Sequence, residues 1–447
     1  MRCKNVCFHD SMFPPELQAE DGGHYEYFRN FSGERGGPRF DTIKNRDFFE
    51  GWVSSMEWIR QGVDERFSGM VRLRRWLHRH PELSFHEFET ARLVADELEK
   101  RGIEVRRGVG GNGVVGVIRG GQPGPTVALR ADMDALPIQD GKTCEYRSSV
   151  PNVMHACGHD AHTSVLLAVA DLLQQHRDRL KGNVRLLFQH AEEQTPGGAL
   201  AMIEDGALDG ADVIYGVHLW TPLPAGTVAS RPGPFMAAAD EFSIRIKGRG
   251  GHGGLPHESV DSLFVGAQLT VNLQSIISRH IDPVEAGVLT VGTFHAGSGF
   301  NVIAEQAELT GTVRSFSEPV RRTISGKLKE MAESTARLHG AEAAVEFKWG
   351  YPVLVNDPRE TARSLQTAER LFGPERVREI PPVMAGEDFA YYVQRIPGTF
   401  LFVGAGNADK GIVHPHHHPQ FDIDEEAMRV SALLLASLAV QYLEQRA

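Results

Sequence analysis

The sequence predicts an α/β protein: a mixed, mostly parallel sheet flanked by helices, with an inserted ferredoxin-like unit of βαββαβ order. Three observations carry this. Short apolar strands alternate with helical patterns up to about residue 236, which is how sheets covered on both faces are written. Between 237 and 350 the order changes to strand, helix, strand, strand, helix, strand, a ferredoxin-like succession. Helices and apolar strands then return from 351 to 447. A small unit inserted into a larger one accounts for all three.

Residues 1–65 mix Gly, Arg, aromatic and acidic residues without clear periodicity and read as a loosely defined extension. Cys3, Cys7 and His9 lie close together there, but no fourth ligand is near enough in sequence to suggest a closed metal site. Met70 to His80 is helical and stops at Pro81; Glu87 to Arg101 forms a second helix closed by Gly102. Val114–Ile118, Thr126–Arg130, Val184–Phe188 and Val213–Val217 read as buried strands, with a helix over Thr163–Gln175. In the inserted unit the strands are Phe242–Lys247, Gly287–Phe294, Gln306–Val313 and Ala343–Lys348. Its helices are Ser259–Arg279 and Pro319–Leu338. Thr361–Phe372, Gly398–Val403 and Glu425–Leu443 complete the larger unit.

Bulk composition narrows the classes. The formal charge of −11 disfavours nucleic acid and anionic membrane as partners. Arg72, Arg74, Arg75 and Arg79 fall at near-helical spacing and read as a solvated helix face. No stretch reads as long and apolar enough to span a bilayer, and the first residues carry no apolar signal core. Four cysteines in 447 residues do not make a disulfide framework, so a reducing cytoplasm is expected.

The chemistry gathers where apolar strands end. Met154–His162 (MHACGHDAH) contains Cys157 and His159, two residues apart, whose thiolate and imidazole suit borderline divalent metals. Asp160 and His162 beside them are candidates to orient those ligands. Phe188–Glu193 (FQHAEE) follows a buried strand, the place where open α/β sheets bind ligands. Of two adjacent carboxylates there, one can coordinate metal and the other act as general base. His218, the cluster His414–Pro419 (HPHHHP), and Asp132 and Asp134 occupy further strand ends or turns. Singly, each reads more simply as a structural or solvated residue. Their recurrence at several strand ends is what points to a shared site.

From about Leu73 onward, about four-fifths of the chain resembles the aminoacylase/carboxypeptidase clan of dinuclear metallopeptidases. The resemblance is greatest to the branch of hippurate hydrolases, N-acyl-amino-acid amidohydrolases and indole-acetyl-amino-acid hydrolases. The motifs, in order, are Leu77–Ser84 (LHRHPELS), Arg130–Pro137 (RADMDALP), His155–Asp160 (HACGHD), Gln189–Glu193 (QHAEE), Gly250–His257 (GGHGGLPH), Phe300–Ile303 (FNVI) and Gly386–Phe389 (GEDF). The resemblance implies two divalent ions, Mn2+ or Zn2+ first and Co2+ or Ni2+ as alternatives. Their ligands would be Cys157, His159, Glu193, His218 and His417, with Cys157 bridging. His417 fits the family's His-x-Pro-x-aromatic-Asp pattern through Pro419, Phe421 and Asp422; His416 and His414 stand as alternatives. Glu192 matches the general base, and Asp132 or Asp134 would orient a ligand. His252, in Gly-Gly-His, would reach a neighbouring subunit's site, and Asn301 and Arg314 would hold the substrate carboxylate. A homodimer through the inserted unit, or a tetramer, is implied. Two positions depart from the family: His190 replaces a proline, and Ala161 replaces a glycine beside the metal loop.

The expected activity is metal-dependent cleavage of the amide of an N-acyl or aryl-acyl amino acid. A dipeptidase or carboxypeptidase with the same dinuclear site is the alternative. A non-catalytic relative that binds acyl-amino acids is more remote, because every family position is filled.

Overall fold

The computed structural model describes residues 46–445, so Cys3, Cys7 and His9 lie outside the described residues. Contacts divide the chain into Met1–Val53 and Ser54–Ala447; apart from the start of the first helix, the described elements belong to the second unit. The helices are α1 (Arg46–Arg79), α2 (Phe88–Lys100), α3 (His159–Gln175), α4 (Ala199–Glu204), α5 (Ser262–Ser275), α6 (Glu318–Leu338), α7 (Pro358–Phe372), α8 (Ala390–Val393) and α9 (Glu426–Gln445). The first eight strands are β1 (Glu104–Val109), β2 (Gly113–Arg119), β3 (Gln122–Asp132), β4 (Lys181–Gln189), β5 (Val213–Pro224), β6 (Val228–Ser230), β7 (Gly233–Met236) and β8 (Ala238–Lys247). The remainder are β9 (Gly251–His252), β10 (Gly287–Ala296), β11 (Val302–Ile303), β12 (Gln306–Ser315), β13 (Glu342–Tyr351), β14 (Leu354–Asn356), β15 (Val377–Glu379) and β16 (Gly398–Gly406).

The larger sheet has eight strands in the order β1-β2-β4-β3-β5-β16-β6-β15. Its centre, β4-β3-β5-β16, is parallel, and antiparallel pairs flank it. The mixed, mostly parallel sheet expected from the apolar runs is therefore present. Those runs are apolar because central parallel strands are covered on both faces. Ala128, Leu187, Ile214 and Phe400 pack with Met202 of α4 and Tyr392 of α8, while α3 and α9 pack on each other and against β3.

The second sheet is antiparallel, in the order β10-β12-β8-β13. It has its own core, in which Ile244, Leu309 and Val313 meet Leu269 of α5 and Ile324 and Leu328 of α6. Side-chain caps fix where its helices begin: Asp261 accepts from the Leu263 and Phe264 amides, and Ser317 from the Val320 amide. The helix expected to run to Arg279 ends as α at Ser275 and continues as a π turn, Ile276–His280.

Two expectations about helices change. First, α1 begins at Arg46, well before the boundary at 65 suggested by composition. From Met56 onward it carries a stripe of buried side chains, Met56, Ile59, Val63, Met70 and Leu77, at three-, four- and seven-residue spacing. Second, α9 is long and apolar enough to cross a membrane by length and composition, and 83% of that window is buried inside the protein. It is a core helix packed on α3, α7 and β3.

The sheet centre leaves no spare room at Gly216 of β5. A Cβ there would lie 2.7 Å from Phe400 and 2.8 Å from Phe389. Gly216→Ala is expected to lower stability by about 1–3 kcal/mol through overpacking, read as a reduced urea midpoint with an unchanged m-value.

Candidate metal centre

The parallel centre of the large sheet brings several polar chain segments to one edge. β3 ends at Asp132 and runs on to Asp134, β4 ends at Gln189 and runs on to Glu192 and Glu193, and β5 carries His218. α3 starts at His159, just after Gly158, whose φ of +101° suits glycine alone. Cys157 therefore sits at the entrance of α3, with His159 in its first turn.

The donor atoms of Cys157, His159 and His218 lie within 4.8 Å of one another, as do those of Cys157, Glu193 and His417. Their hydrogen bonds fix which atoms face the centre. His218 Nδ1 donates to the Leu219 carbonyl at 2.7 Å, leaving Nε2 as a lone-pair donor 3.4 Å from Cys157 Sγ. His159 Nδ1 bonds the backbone and side-chain oxygens of Asp134 at 3.0 and 3.1 Å. Its Nε2 is buried without a hydrogen-bond partner, and so is Glu193 Oε1; the two are 3.8 Å apart. Buried polar atoms are nearly always satisfied. Two histidines committed at Nδ1, a thiol and a carboxylate with free atoms facing inward make a donor set that fits divalent metal.

His417 is the late histidine that reaches this group: its Nε2 is 3.3 Å from Glu193 Oε2. Its backbone is in the left-handed region, φ +64°, and its amide donates to the Ala156 carbonyl at 2.8 Å. His416 Nε2 is taken by the Leu219 carbonyl at 2.9 Å while its ring stacks on Trp220. His414 stacks on His418.

Electrostatics point the same way. Burial by itself would lower His159, but the carboxylates of Asp132, Asp134 and Glu193 raise it to about 10. Burial raises the Cys157 thiol well above its usual range, and Glu193, Glu192 and Asp132 add to this. The pocket thus holds excess negative potential, and what favours a proton on His159 also favours a cation between these groups. Glu192 is raised by burial and then by Glu387, Glu193 and Asp388, as expected of a carboxylate suited to proton transfer.

Beneath these donors lies Arg130, fully buried. It bonds Asp132 at 2.6 Å, Glu387 and Asp388 at 3.0 Å, and Gln189 at 2.9 Å. Asp132 also accepts from His162 Nδ1 at 2.6 Å, and His162 Nε2 accepts from the Leu219 amide. Both His162 nitrogens are thereby occupied. Asp134 is the residue that orients His159, and it also accepts from the Glu193 amide and the Ser84 hydroxyl.

The residues singled out in the sequence divide into two groups. Cys157, His159, Glu192, Glu193, His218, His417, Asp132 and Asp134 come together. His252 belongs to none of the close donor groups among the described residues, and it, Asn301 and Arg314 lie on the strands and loops of the second sheet's segment. His252 is exposed on β9, with Nδ1 accepting from the Gly254 amide, and β9 pairs with β11 next to Asn301. Arg314 lies half-buried on β12, where burial lowers its pKa.

Some participants were not foreseen. Arg74 is not on a solvated face: it is fully buried, bonded to Asp160, Asp422 and Glu425. A signal existed, since residue 74 falls between Met70 and Leu77 on the apolar stripe of α1. Asp160 serves Arg74 and His78 rather than a candidate ligand. Arg130 sits inside the RADMDALP motif, and Glu387 and Asp388 inside GEDF, but only their convergence shows what they do. Tyr351, whose hydroxyl donates to the Glu192 carbonyl at 2.6 Å, left no sequence signal. His190, in place of the family's proline, is buried and packs edge-on to Phe85.

Residues 128–441 match peptidase family M20/M25/M40. Protein YhaA of Bacillus subtilis is 49% identical over 384 residues, covering 86% of this chain and 97% of its own. Thermostable carboxypeptidase 1 of Saccharolobus solfataricus is 41% identical over 390 residues, with coverage of 87% and 98%. An N-acyl-L-amino acid amidohydrolase of Geobacillus stearothermophilus is 46% identical over 319 residues, with coverage of 70% and 86%. Among solved structures, the Bacillus subtilis YXEP protein, described as a dinuclear metal-binding peptidase of the M20 family, superposes with a TM-score of 0.74. It is 36% identical, with coverage of 85% and 99%.

The Arg130 cluster supports a direct test of the buried charge balance. Arg130→Met leaves Asp132, Glu387 and Asp388 without their shared cation. It is expected to cost about 3–5 kcal/mol, measured by urea denaturation at neutral pH.

Proposed function

The chain belongs to peptidase family M20/M25/M40, and from that premise we propose a metal-dependent amidohydrolase that releases a carboxylic acid and a free amino acid from N-acyl or aryl-acyl amino acids. It is a hydrolase of a family acting on amides. One observation carries the reading: thiol, imidazole and carboxylate donors converge beside Glu192, a buried carboxylate with a raised pKa.

In this reading Cys157, His159, Glu193, His218 and His417 would hold two divalent ions. Mn2+ and Zn2+ suit these donors first, and Co2+ or Ni2+ are alternatives. Such ions would supply Lewis acidity for the attacking water and the scissile carbonyl. Glu192 accepts a proton from the attacking water at its carboxylate and passes it to the leaving amine nitrogen. Tyr351 holds the Glu192 backbone, while Asp134 fixes the His159 ring and the Glu193 amide. Asp132, bonded to Arg130 and His162, faces His159 Nε2 at 3.8 Å and keeps that side of the site negative. His252 would donate to the developing oxyanion from a partner subunit, with 237–350 forming the dimer contact. Asn301 and Arg314 would hold the substrate carboxylate. Cys157 must stay reduced to act as a ligand, which suits the cytoplasm.

The carboxypeptidase relative favours a second reading, in which the same centre cleaves free peptides. Assay of hippurate-type conjugates against dipeptides separates the two, and the first reading expects the higher kcat/KM for the conjugates. A non-catalytic role is disfavoured because both Glu192 and the donor set are intact.

Glu192→Gln is expected to retain bound metal while kcat falls about 10²–10⁴-fold; full activity would remove Glu192 as the base. The role of His252 requires an oligomer. Sedimentation should show at least a dimer, His252→Ala should lose kcat without loss of metal, and an active monomer would exclude the proposed contact.

A further inference from the structure

The loop that carries His417 is tied to the first turn of α3 by a buried polar clamp centred on α1. Arg74 Nε donates to Asp160 at 2.9 Å, Nη2 to Asp422 at 2.8 Å, and Nη1 reaches Glu425 at 3.4 Å. Asp160 adjoins His159, and Asp422 follows His417 in the same loop. One guanidinium therefore contacts both segments. The supporting contacts repeat this pairing. His78 Nδ1 bonds Asp160 at 2.7 Å, and its Nε2 meets Lys142 Nζ at 2.8 Å. Lys142 Nζ in turn donates to the Phe421 carbonyl at 2.9 Å. The Tyr146 hydroxyl donates to the other oxygen of Asp422 at 2.7 Å.

We propose that Arg74 is a positioning residue: its guanidinium sets the separation between the segments carrying His159 and His417, so that both reach one site. This rests on the proposed assignment of His159 and His417 as ligands. Stability alone accounts poorly for the clamp, because buried ion pairs can often be replaced by apolar side chains at little cost. What apolar packing does not supply is direction. A planar fork bonded to two carboxylates fixes both angle and distance, and the free end of the His417 loop needs that fixing. His417 itself is half-exposed, its ring meeting Glu193 and lying near Cys157, with one backbone bond to Ala156. By contrast, His159 and His218 are buried and each is held at Nδ1.

The full-length protein, stripped of metal and titrated with Mn2+, tests this by counting bound ions and fitting the affinity of each. Arg74→Lys, Asp422→Asn and Tyr146→Phe are compared with Arg321→Met, which breaks a buried pair with Asp240 (2.8 Å) in the second sheet. In the first three variants one ion is expected to weaken about 10–100-fold while the other keeps its wild-type affinity. Arg321→Met should lower Tm and leave both affinities intact. If Arg74→Lys does not fold, Tyr146→Phe and Asp422→Asn give the same readout. The inference is overturned if the clamp variants keep both affinities, if they weaken both ions in step with Tm, or if Arg321→Met produces the same selective loss. A wild-type chain that binds no Mn2+ would overturn the proposed function as well, so the two failures are told apart.

Discussion

Arg130 lies buried at the end of β3 and is bonded to Asp132, Glu387 and Asp388. Burial raises Glu387 to about 8 and Asp388 to about 6, although Arg130 pulls both down. One cation thus serves more carboxylates than it can neutralise, in a low-dielectric interior where unpaired charge is costly. The arrangement holds because it is locked by hydrogen bonds: Gln189 donates to both Asp388 oxygens, the Ala199 amide adds a second bond to Asp388 Oδ2, and the Phe389 amide bonds Glu387 Oε1. Because β3, the end of β4 and the 387–388 turn all converge on Arg130, the donors above it inherit a fixed floor.

Strand direction explains why these donors meet. Four adjacent parallel strands, β4-β3-β5-β16, present their carboxyl ends on one edge, where backbone pairing stops and side chains are free to face a ligand. His218 is placed by β5, Glu192 and Glu193 by the exit of β4, Asp132 and Asp134 by the exit of β3. Cys157 and His159 come instead from the entrance of α3, and His417 from a loop that no strand directs. That loop is also where α1 contributes its buried arginine, so a helix that adds nothing to the donor groups still contacts the segment that carries His417.

The sequence showed the fold and most of the site for a physical reason. Apolar runs mark strands covered on both faces, and polar residues at or after their ends mark the sheet edge, so Glu193 and His218 could be read from the sequence. Cys157 and His159, expected at a strand end, lie instead at the entrance of α3 and were legible only through their Cys-x-His spacing and motif. Arg74 could not be read from residue type, because an arginine in a helix is normally solvated. Its position on the Met56–Leu77 stripe was the better guide, since periodicity reports burial and residue type only reports preference. Tyr351 lies at the end of β13 and meets Glu192 across a long sequence separation; no local pattern encodes such a contact. The apolar length of α9 was likewise ambiguous until packing on α3 and β3 placed it in the core.

Polar satisfaction separates the scaffold of the site from its working atoms. His162 has both nitrogens bonded, Asp134 has bonds at both oxygens, and Arg130 is bonded on every side facing a carboxylate. Yet His159 Nε2 and Glu193 Oε1, equally buried, have no hydrogen-bond partner. Other buried atoms share this deficit, among them both nitrogens of His155 and Asp160 Oδ1; what marks this pair is that the two atoms face each other 3.8 Å apart within the close donor groups. Unsatisfied atoms that face one another, rather than lying apart, are what a candidate binding centre needs and a closed polar network does not. That need also explains why the sequence retains so many charged residues in a region that apolar packing could have filled.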